Sequence, residues 1–394
     1  MRSLELFAGA GGLGMGLHKA GFHPAAVVER DADCCNTIRQ NAAHGASLMR
    51  GWKLVPGDVR EVNFRAFKDS LELVSGGPPC QPFSLGGKHR AFEDCRDMFP
   101  EAVRAIREIR PAAFIFENVK GLTRDRFLNY FEYIKLQLRH PELVARASET
   151  WADHHSRLER HETSNRSEGL CYRVVTQVLN AADYGVPQKR HRVFFVGFRQ
   201  DLGVEWNFPK PTHSRDALLW DQSSRGTYWD RHGVSKSSRF CAASDSELIG
   251  RLPFPPITLP WVTVRDVISD LPRLGSTALP KGAITGHNHQ PGAKSYPGHT
   301  GSPLDEPAKA LKAGVHGVPG GENMLLHGNG QVRYFTAREA ARLQTFPDDF
   351  EFTGSWTETM RQLGNAVPVT LASVVGNSVS RQFRAVQSTS TPLQ

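Results

Sequence analysis

The chain has 394 residues, too many for one small core, so a large domain with a smaller second one is expected. A formal charge of +8 favours a polyanionic partner, and the hydrophobic residues, 39% of the total, form no run long enough to span a bilayer. Six cysteines at irregular spacings, with no Cys-x-x-Cys, argue against a disulfide framework or a zinc site and fit a reducing cytoplasm.

The N-terminus opens directly on an apolar strand, Leu4 to Phe7, with no signal peptide expected before it. Ala8-Gly9-Ala10-Gly11-Gly12-Leu13-Gly14-Met15-Gly16-Leu17 follows, and its glycines permit a tight turn and close approach of backbone N–H groups to a ligand. A helix then runs to Gly21, its stop. The strand Ala25 to Val28 ends in Glu29, about twenty residues beyond the turn, where an acid can accept from both ribose hydroxyls. A weaker strand, Lys53-Leu54-Val55-Pro56, leads to Asp58, whose carboxylate can accept from an adenine amino group. Two cofactors suit this layout. A nicotinamide dinucleotide would seat its pyrophosphate on the turn, whereas S-adenosylmethionine would place its methionine end there. The turn lacks a clean G-x-G-x-x-G.

Leu71 to Val74 reads as a buried strand ending in Gly76-Gly77-Pro78-Pro79-Cys80-Gln81-Pro82-Phe83-Ser84. Three prolines around one thiol fix φ and remove backbone donors, so the sulfur is held in place. A rigid thiol at the carboxyl end of a strand is where an open α/β sheet places its chemistry; a buried structural cysteine is the alternative. Asp97-Met98-Phe99 opens a helix, and Ala112 to Phe116 is a further buried strand that delivers Glu117 to the same edge as Cys80. A carboxylate among apolar neighbours has a raised pKa, which suits a group that shares a proton; capping the next turn is the plainer role.

Between Gly121 and Gly169 lies a charged, partly helical insertion whose histidines include His140, His154, His155 and His161. No cysteine accompanies them, so a solvated helix pair touching the phosphates of a polyanionic partner is expected rather than a metal site. In Gln188-Lys189-Arg190-His191-Arg192 the two arginines alternate, which puts both on one face of the strand Val193 to Val196. Either could hold a carbonyl or phosphate through a forked contact. Residues 200–330 show little periodicity and are rich in Pro, Gly, Ser and aromatics. Thr336 and Glu339 form a capping box at the start of a helix, and an apolar helix runs from about Val367 to Val379 after Gly364-Asn365.

Taken together, the glycine turn, Pro-Pro-Cys-Gln-Pro-Phe, Phe116-Glu117-Asn118-Val119, Gln188 to Arg192, the Thr336 block and Gln362 to Pro368 resemble the cytosine-5 DNA methyltransferases, in family order. The resemblance implies an α/β, Rossmann-like S-adenosylmethionine-dependent sheet formed by residues 1–200 and 331–394, with the C-terminal helix packing back on the first strand. It implies a smaller, irregular target-recognition domain at 201–330. Catalysis would fall to Cys80, Glu117, Arg190 and Arg192. The cofactor would meet Phe7, Ala8, Gly9, Gly11, Gly12, Leu13, Glu29, Arg30, Asp58, Val59, Pro79, Met98, Asn365, Ala366 and Val367. Candidate DNA contacts are Gln81, Ser84, Lys88, Asn288, Gln290, Lys312 and His316. Arg338 would support the arginine-bearing loop and take no catalytic part. No metal is implied. The implied reaction methylates carbon 5 of a cytosine rotated out of double-stranded DNA, in a monomeric bacterial cytoplasmic enzyme paired with a restriction endonuclease. A tRNA cytosine-5 methyltransferase, a catalytically silent DNA-binding regulator and a nicotinamide oxidoreductase are the competing readings.

Overall fold

In the strand Ala113–Val119, Phe114 and Phe116 alternate with Ala113 and Ile115, all fully buried, so both faces of the sheet around it are covered. A computed structural model describes residues 1–79, 97–164, 169–223, 226–239, 254–274, 284–297, 299–314 and 323–389. Cys80, Gln81, Ser84, Lys88 and His316 lie outside the described residues.

The main sheet has seven strands in the order β3-β2-β1-β4-β5-β8-β6. These are β1 Arg2–Leu6, β2 His23–Glu29, β3 Leu54–Pro56, β4 Leu73–Gly76, β5 Ala113–Val119, β6 Tyr172–Asn180 and β8 His191–Arg199; the short β7, Gln188–Lys189, pairs elsewhere. β3, β2, β1, β4 and β5 run parallel, while β8 lies antiparallel to both β5 and β6. Six carboxyl ends, those of β3, β2, β1, β4, β5 and β6, and the amino end of β8 therefore share one edge. This is the open α/β arrangement that the resemblance implies.

One face is covered by α3 (Phe99–Ile109) and α4 (Leu128–Arg139), through Phe99, Ile106, Ile109, Ile134 and Leu138 packed on Leu4, Leu6, Phe114 and Phe116. The other is covered by α1 (Gly12–Lys19) and the C-terminal helix Val369–Thr389, through Leu13, Leu17, Leu371, Val375 and Val379. The C-terminal helix is seated against α1, the helix that follows β1, and extends past the predicted end at Val379. α4 and α5 (Trp151–Thr163) correct the picture of a merely solvated pair in the insertion. Tyr130, Tyr133, Ile134, Leu138 and Leu158 all join the core. His154 is buried between the Tyr133 hydroxyl at 2.8 Å and the Leu143 carbonyl at 2.6 Å, a structural place.

Close approach of α1 to the C-terminal helix depends on Gly16. A Cβ there would lie 2.4 Å from that of Ala372 and 2.5 Å from the Val369 carbonyl oxygen. The gain of roughly 1 kcal/mol in helix propensity cannot offset a collision with backbone. Gly16→Ala should therefore lower the unfolding free energy by about 1–3 kcal/mol in a urea titration. Unchanged or increased stability would show that the two helices are not packed at this point.

Candidate active site

Glu117 reaches the shared edge near the end of β5 and is 6% exposed. The antiparallel register sets Val119 opposite Arg192, so Arg192 enters from β8 alongside it. Its Nε lies 2.6 Å from Glu117 Oε1, both side chains being largely buried. Burial pushes the Glu117 carboxyl above the usual carboxylate range; the Arg192 guanidinium, and behind it Arg190, pull it back. The net direction is upward, which favours the protonated carboxyl relative to an ordinary exposed one.

The backbone leading to Cys80 lies against this carboxyl. A Cβ on Gly77 would be 3.4 Å from Glu117 Oε2, and the Asn118 amide donates to the Pro78 carbonyl at 2.9 Å. On the far side of the undescribed stretch, Met98 N–H donates to the Pro79 carbonyl at 3.1 Å, and the Tyr130 hydroxyl donates to the Asp97 carboxylate. Residues 79 and 98 are thus tied to each other, and α4 holds the start of α3. Nothing in the sequence announced Asn118 or Tyr130 as anchors, because each acts only through a tertiary contact.

Arg190 departs from expectation. Residue 190 falls in the break between β7 and β8, so strand alternation does not carry it to the face of Arg192. Its guanidinium is 1% exposed and donates to the carbonyls of Leu311 at 2.9 Å, Gly364 at 2.6 Å and Ala366 at 2.9 Å. Gln188 reinforces this clasp, its Oε1 accepting from Leu311 N–H at 3.0 Å and its Nε2 donating to the Leu343 carbonyl at 3.2 Å. Arg190 thus joins segments distant in sequence, and its terminal nitrogens face backbone rather than a pocket. Arg338 is buried and donates to the Thr285, Pro347 and Phe350 carbonyls at the head of the helix Ala337–Leu343, so it braces that helix rather than the arginine-bearing segment 188–192. The Thr336–Glu339 capping box is formed.

At the glycine turn Phe7, Gly9 and Gly11 all have positive φ, 54°, 56° and 84°. For phenylalanine that conformation is strained, and such strain persists where the surroundings over-determine it. The Gly9 N–H donates to Glu29 Oε2 at 2.7 Å, while the other oxygen accepts from the amides of Arg30 and Asp31 at 2.8 and 2.7 Å. A Cβ on Gly9 would meet nothing within 4 Å, whereas one on Gly11 would strike Met49 and one on Gly12 the Val367 carbonyl. The turn is packed beneath and beside, and open at Gly9. Asp58 caps the short turn Val59–Glu61 and pairs with Arg60 at 2.6 Å, which holds its carboxyl well below the usual range. Arg30 reaches the same carboxylate at 3.4 Å.

These residues fit an adenosyl cofactor with a methionine tail. Ala8 and Gly9 give an open turn, and Glu29 keeps acceptor capacity at the end of β2. Val59 and Met98 are nearly buried apolar neighbours, Pro79 and Asn365 are exposed, and Ala366 and Val367 border Gly12. Leu13 instead faces the core under the C-terminal helix. Among the DNA candidates, Asn288 and Lys312 are exposed and Gln290 is half-buried. The neighbouring His287 is held between Thr336 Oγ1 at 3.0 Å and the Pro272 carbonyl at 2.8 Å. The only three-acid cluster among the described residues, Asp31, Asp33 and Glu358, is bridged by Arg361 to Asp31 and Glu358 at 2.8 and 2.7 Å.

A second buried acid lies beneath the turn. Glu5 is 2% exposed, accepts from Ser75 Oγ at 2.6 Å, and has its pKa pushed up to about 7 by burial. An acid flanked by Leu4 and Leu6 was the available signal. Folded protein holds this proton to about pH 7, whereas the unfolded chain releases it near 4.5. Stability contributed by the protonated form is therefore lost as pH rises through that window, by about 3 kcal/mol. Relative to Glu5→Gln, the wild type should lose about that much unfolding free energy between the two ends of the window in urea titrations. A constant difference would show that Glu5 is ionised throughout.

The comparisons with known proteins agree with this geometry. The family model described as C-5 cytosine-specific DNA methylase matches residues 1–141 and 152–381. The Type II methyltransferase M.PspPI of Psychrobacter is 32% identical over 97% of this chain and 79% of its own length. M.Eco47II of Escherichia coli is likewise 32% identical, over 95% and 78%. The crystal structure of a putative DNA modification methyltransferase from an E. coli prophage covers 98% of this chain and 99% of its own, with a TM-score of 0.54 at 21% identity, a likeness of fold. The chain belongs to the C-5 cytosine-specific DNA methylases, and is a DNA cytosine-5 methyltransferase whose methyl donor is S-adenosylmethionine.

Proposed function

We propose that this enzyme methylates a cytosine rotated out of a specific double-stranded sequence, through a transient bond to Cys80. The observation that carries the reading is the buried Glu117–Arg192 pair, set against the backbone that leads into Pro79 and Cys80. Carbon 5 of cytosine is a poor nucleophile. Addition of the Cys80 thiolate to carbon 6 breaks the 5,6 double bond, and the electron pair would load the ring with negative charge. Glu117, retaining a proton through burial, donates to ring nitrogen 3 and quenches that charge. Carbon 5, now enamine-like, takes up the methyl. Gly9, Glu29, Asp58 and the 365–367 segment would hold S-adenosylmethionine, which would supply that methyl as an electrophile and leave as the neutral thioether S-adenosylhomocysteine. Loss of the carbon-5 proton to water with expulsion of the Cys80 thiolate restores the aromatic ring, and return of the nitrogen-3 proton to Glu117 regenerates the free enzyme. Arg192 orients Glu117 and holds the base carbonyl. Arg190 contributes by fixing strand and cofactor wall together.

Both faces of a stacked cytosine are covered, so the base must leave the duplex to meet Cys80 and Glu117. Residues 201–330 supply the target-recognition domain, with Asn288, Gln290, Lys312 and His316 as base-reading candidates. The enzyme acts as a monomer in the bacterial cytoplasm, at the nucleoid, and protects host DNA from a partner endonuclease.

Methyl transfer to duplex DNA and to tRNA, measured in parallel, tests the reading. Duplex DNA should be the substrate; Cys80→Ser should abolish turnover, and Glu117→Gln should slow it by about 10²–10⁴-fold. A near-normal rate in either variant would overturn the assigned role, and preferential labelling of tRNA would overturn the substrate.

A further inference from the structure

Immediately after Glu117 the chain leaves β5 through two short turns, Lys120–Thr123 and Asp125–Phe127, before α4 begins. Lys120, Arg124 and Arg126 are all exposed there. Among the described residues none of the three has an ion-pair partner, although most arginines elsewhere in the fold are paired. Asp125, the sole acid in this stretch, is likewise exposed and pairs with none of them among the described residues. The Arg126 guanidinium lies over the Phe127 ring, 4.4 Å from its centroid, which orients it without neutralising it. The first turn packs against β8 and α4, which puts Lys120 on the rim beside the Glu117–Arg192 pair, and Arg124 and Arg126 follow in the same connection to α4. His191, the exposed residue before Arg192, registers the local field: after burial, Lys120 and Arg192 push its pKa down, against Asp183.

Unpaired cations beside a site that takes a nucleotide suit a polyanionic occupant. Lys120 follows Glu117 by three residues, so its Cα lies within roughly 11 Å of the carboxylate's own residue. From there long side chains reach the phosphates on either side of a base resting on Glu117. We propose that Lys120, Arg124 and Arg126 form a phosphate grip on the DNA strand that carries the target cytosine. This rests on the function proposed above and adds to it the residues that hold the extruded nucleotide's own strand. Phosphate contacts of this kind fix position and register while carrying no sequence information.

The test is the salt dependence of duplex binding, read by fluorescence anisotropy on a labelled mixed-sequence duplex, for wild type and Lys120→Ala/Arg124→Ala/Arg126→Ala. A control, Lys53→Ala/Arg65→Ala/Lys68→Ala, removes the same charge from exposed positions preceding β3 and β4, at the opposite edge of the sheet. The grip variant should bind about 10- to 100-fold more weakly at moderate salt, with a log–log slope shallower by about 2–3, and its KM for DNA should rise. The control should keep the wild-type slope. An unchanged slope in the grip variant, or an equal change in both variants, would overturn the proposal. Methylation of genomic DNA by the same wild-type preparation separates the two levels. If the wild type methylates DNA while the grip variant binds as well as it does, only the grip fails; if the wild type neither binds nor methylates duplex DNA, the underlying function fails.

Discussion

A carboxyl and a guanidinium sharing one buried edge of the sheet set the terms for everything around them. Either group alone at the position of Glu117 or Arg192 would carry a desolvation cost of several kcal/mol. Together they are tolerable, and burial raises the carboxyl above the usual range while the guanidinium beside it opposes that rise. That balance exists because β8 runs antiparallel to β5, which brings the amino end of one strand to the carboxyl end of the other. A parallel neighbour would have placed Arg192 at the opposite edge.

The rest of the fold holds that edge in register. Arg190 donates to three backbone carbonyls drawn from the 311 segment and the 364–366 segment. Gln188 ties the same 311 segment to the end of the helix Ala337–Leu343. The wall that flanks the glycine turn, the strand that bears Arg192 and the segment leading back from the 201–330 region are therefore one hydrogen-bonded unit. On the other side, Asn118 and Tyr130 hold the chain at both borders of the stretch that contains Cys80. Cofactor wall, carboxyl and the residues bordering that stretch are positioned by hydrogen bonds, which suits a reaction that requires three partners within bonding distance.

Local chemistry made much of this legible beforehand. The glycine turn, the acid at the end of β2, the strand that delivers Glu117 and the Thr336–Glu339 box are each written in a few adjacent residues, and each is present where expected. β6 was not anticipated, since Tyr172–Asn180 mixes exposed and buried positions without clean alternation. Arg190 was misjudged because a strand break, invisible in the alternating basic pattern, turns it inward. Glu5 and Tyr130 act through partners 70 and 33 residues away, at Ser75 and Asp97, so no window of sequence contains the contact. The histidines of the insertion looked like a cluster in sequence; in space His154 and His140 serve separate hydrogen bonds, His140 to Glu162 at 2.5 Å.

The central claim is that a thiol bonds to the base whose charge Glu117 quenches. A duplex carrying 5-fluorocytosine, which cannot lose the proton-equivalent at carbon 5, arrests the reaction after methyl transfer. Intact-mass analysis of the chain after incubation with that duplex and S-adenosylmethionine should show one methylated DNA strand covalently attached, and peptide mapping should place it on Cys80. If ordinary duplex DNA is methylated normally but no adduct forms, or if the adduct maps to another residue, the account is contradicted.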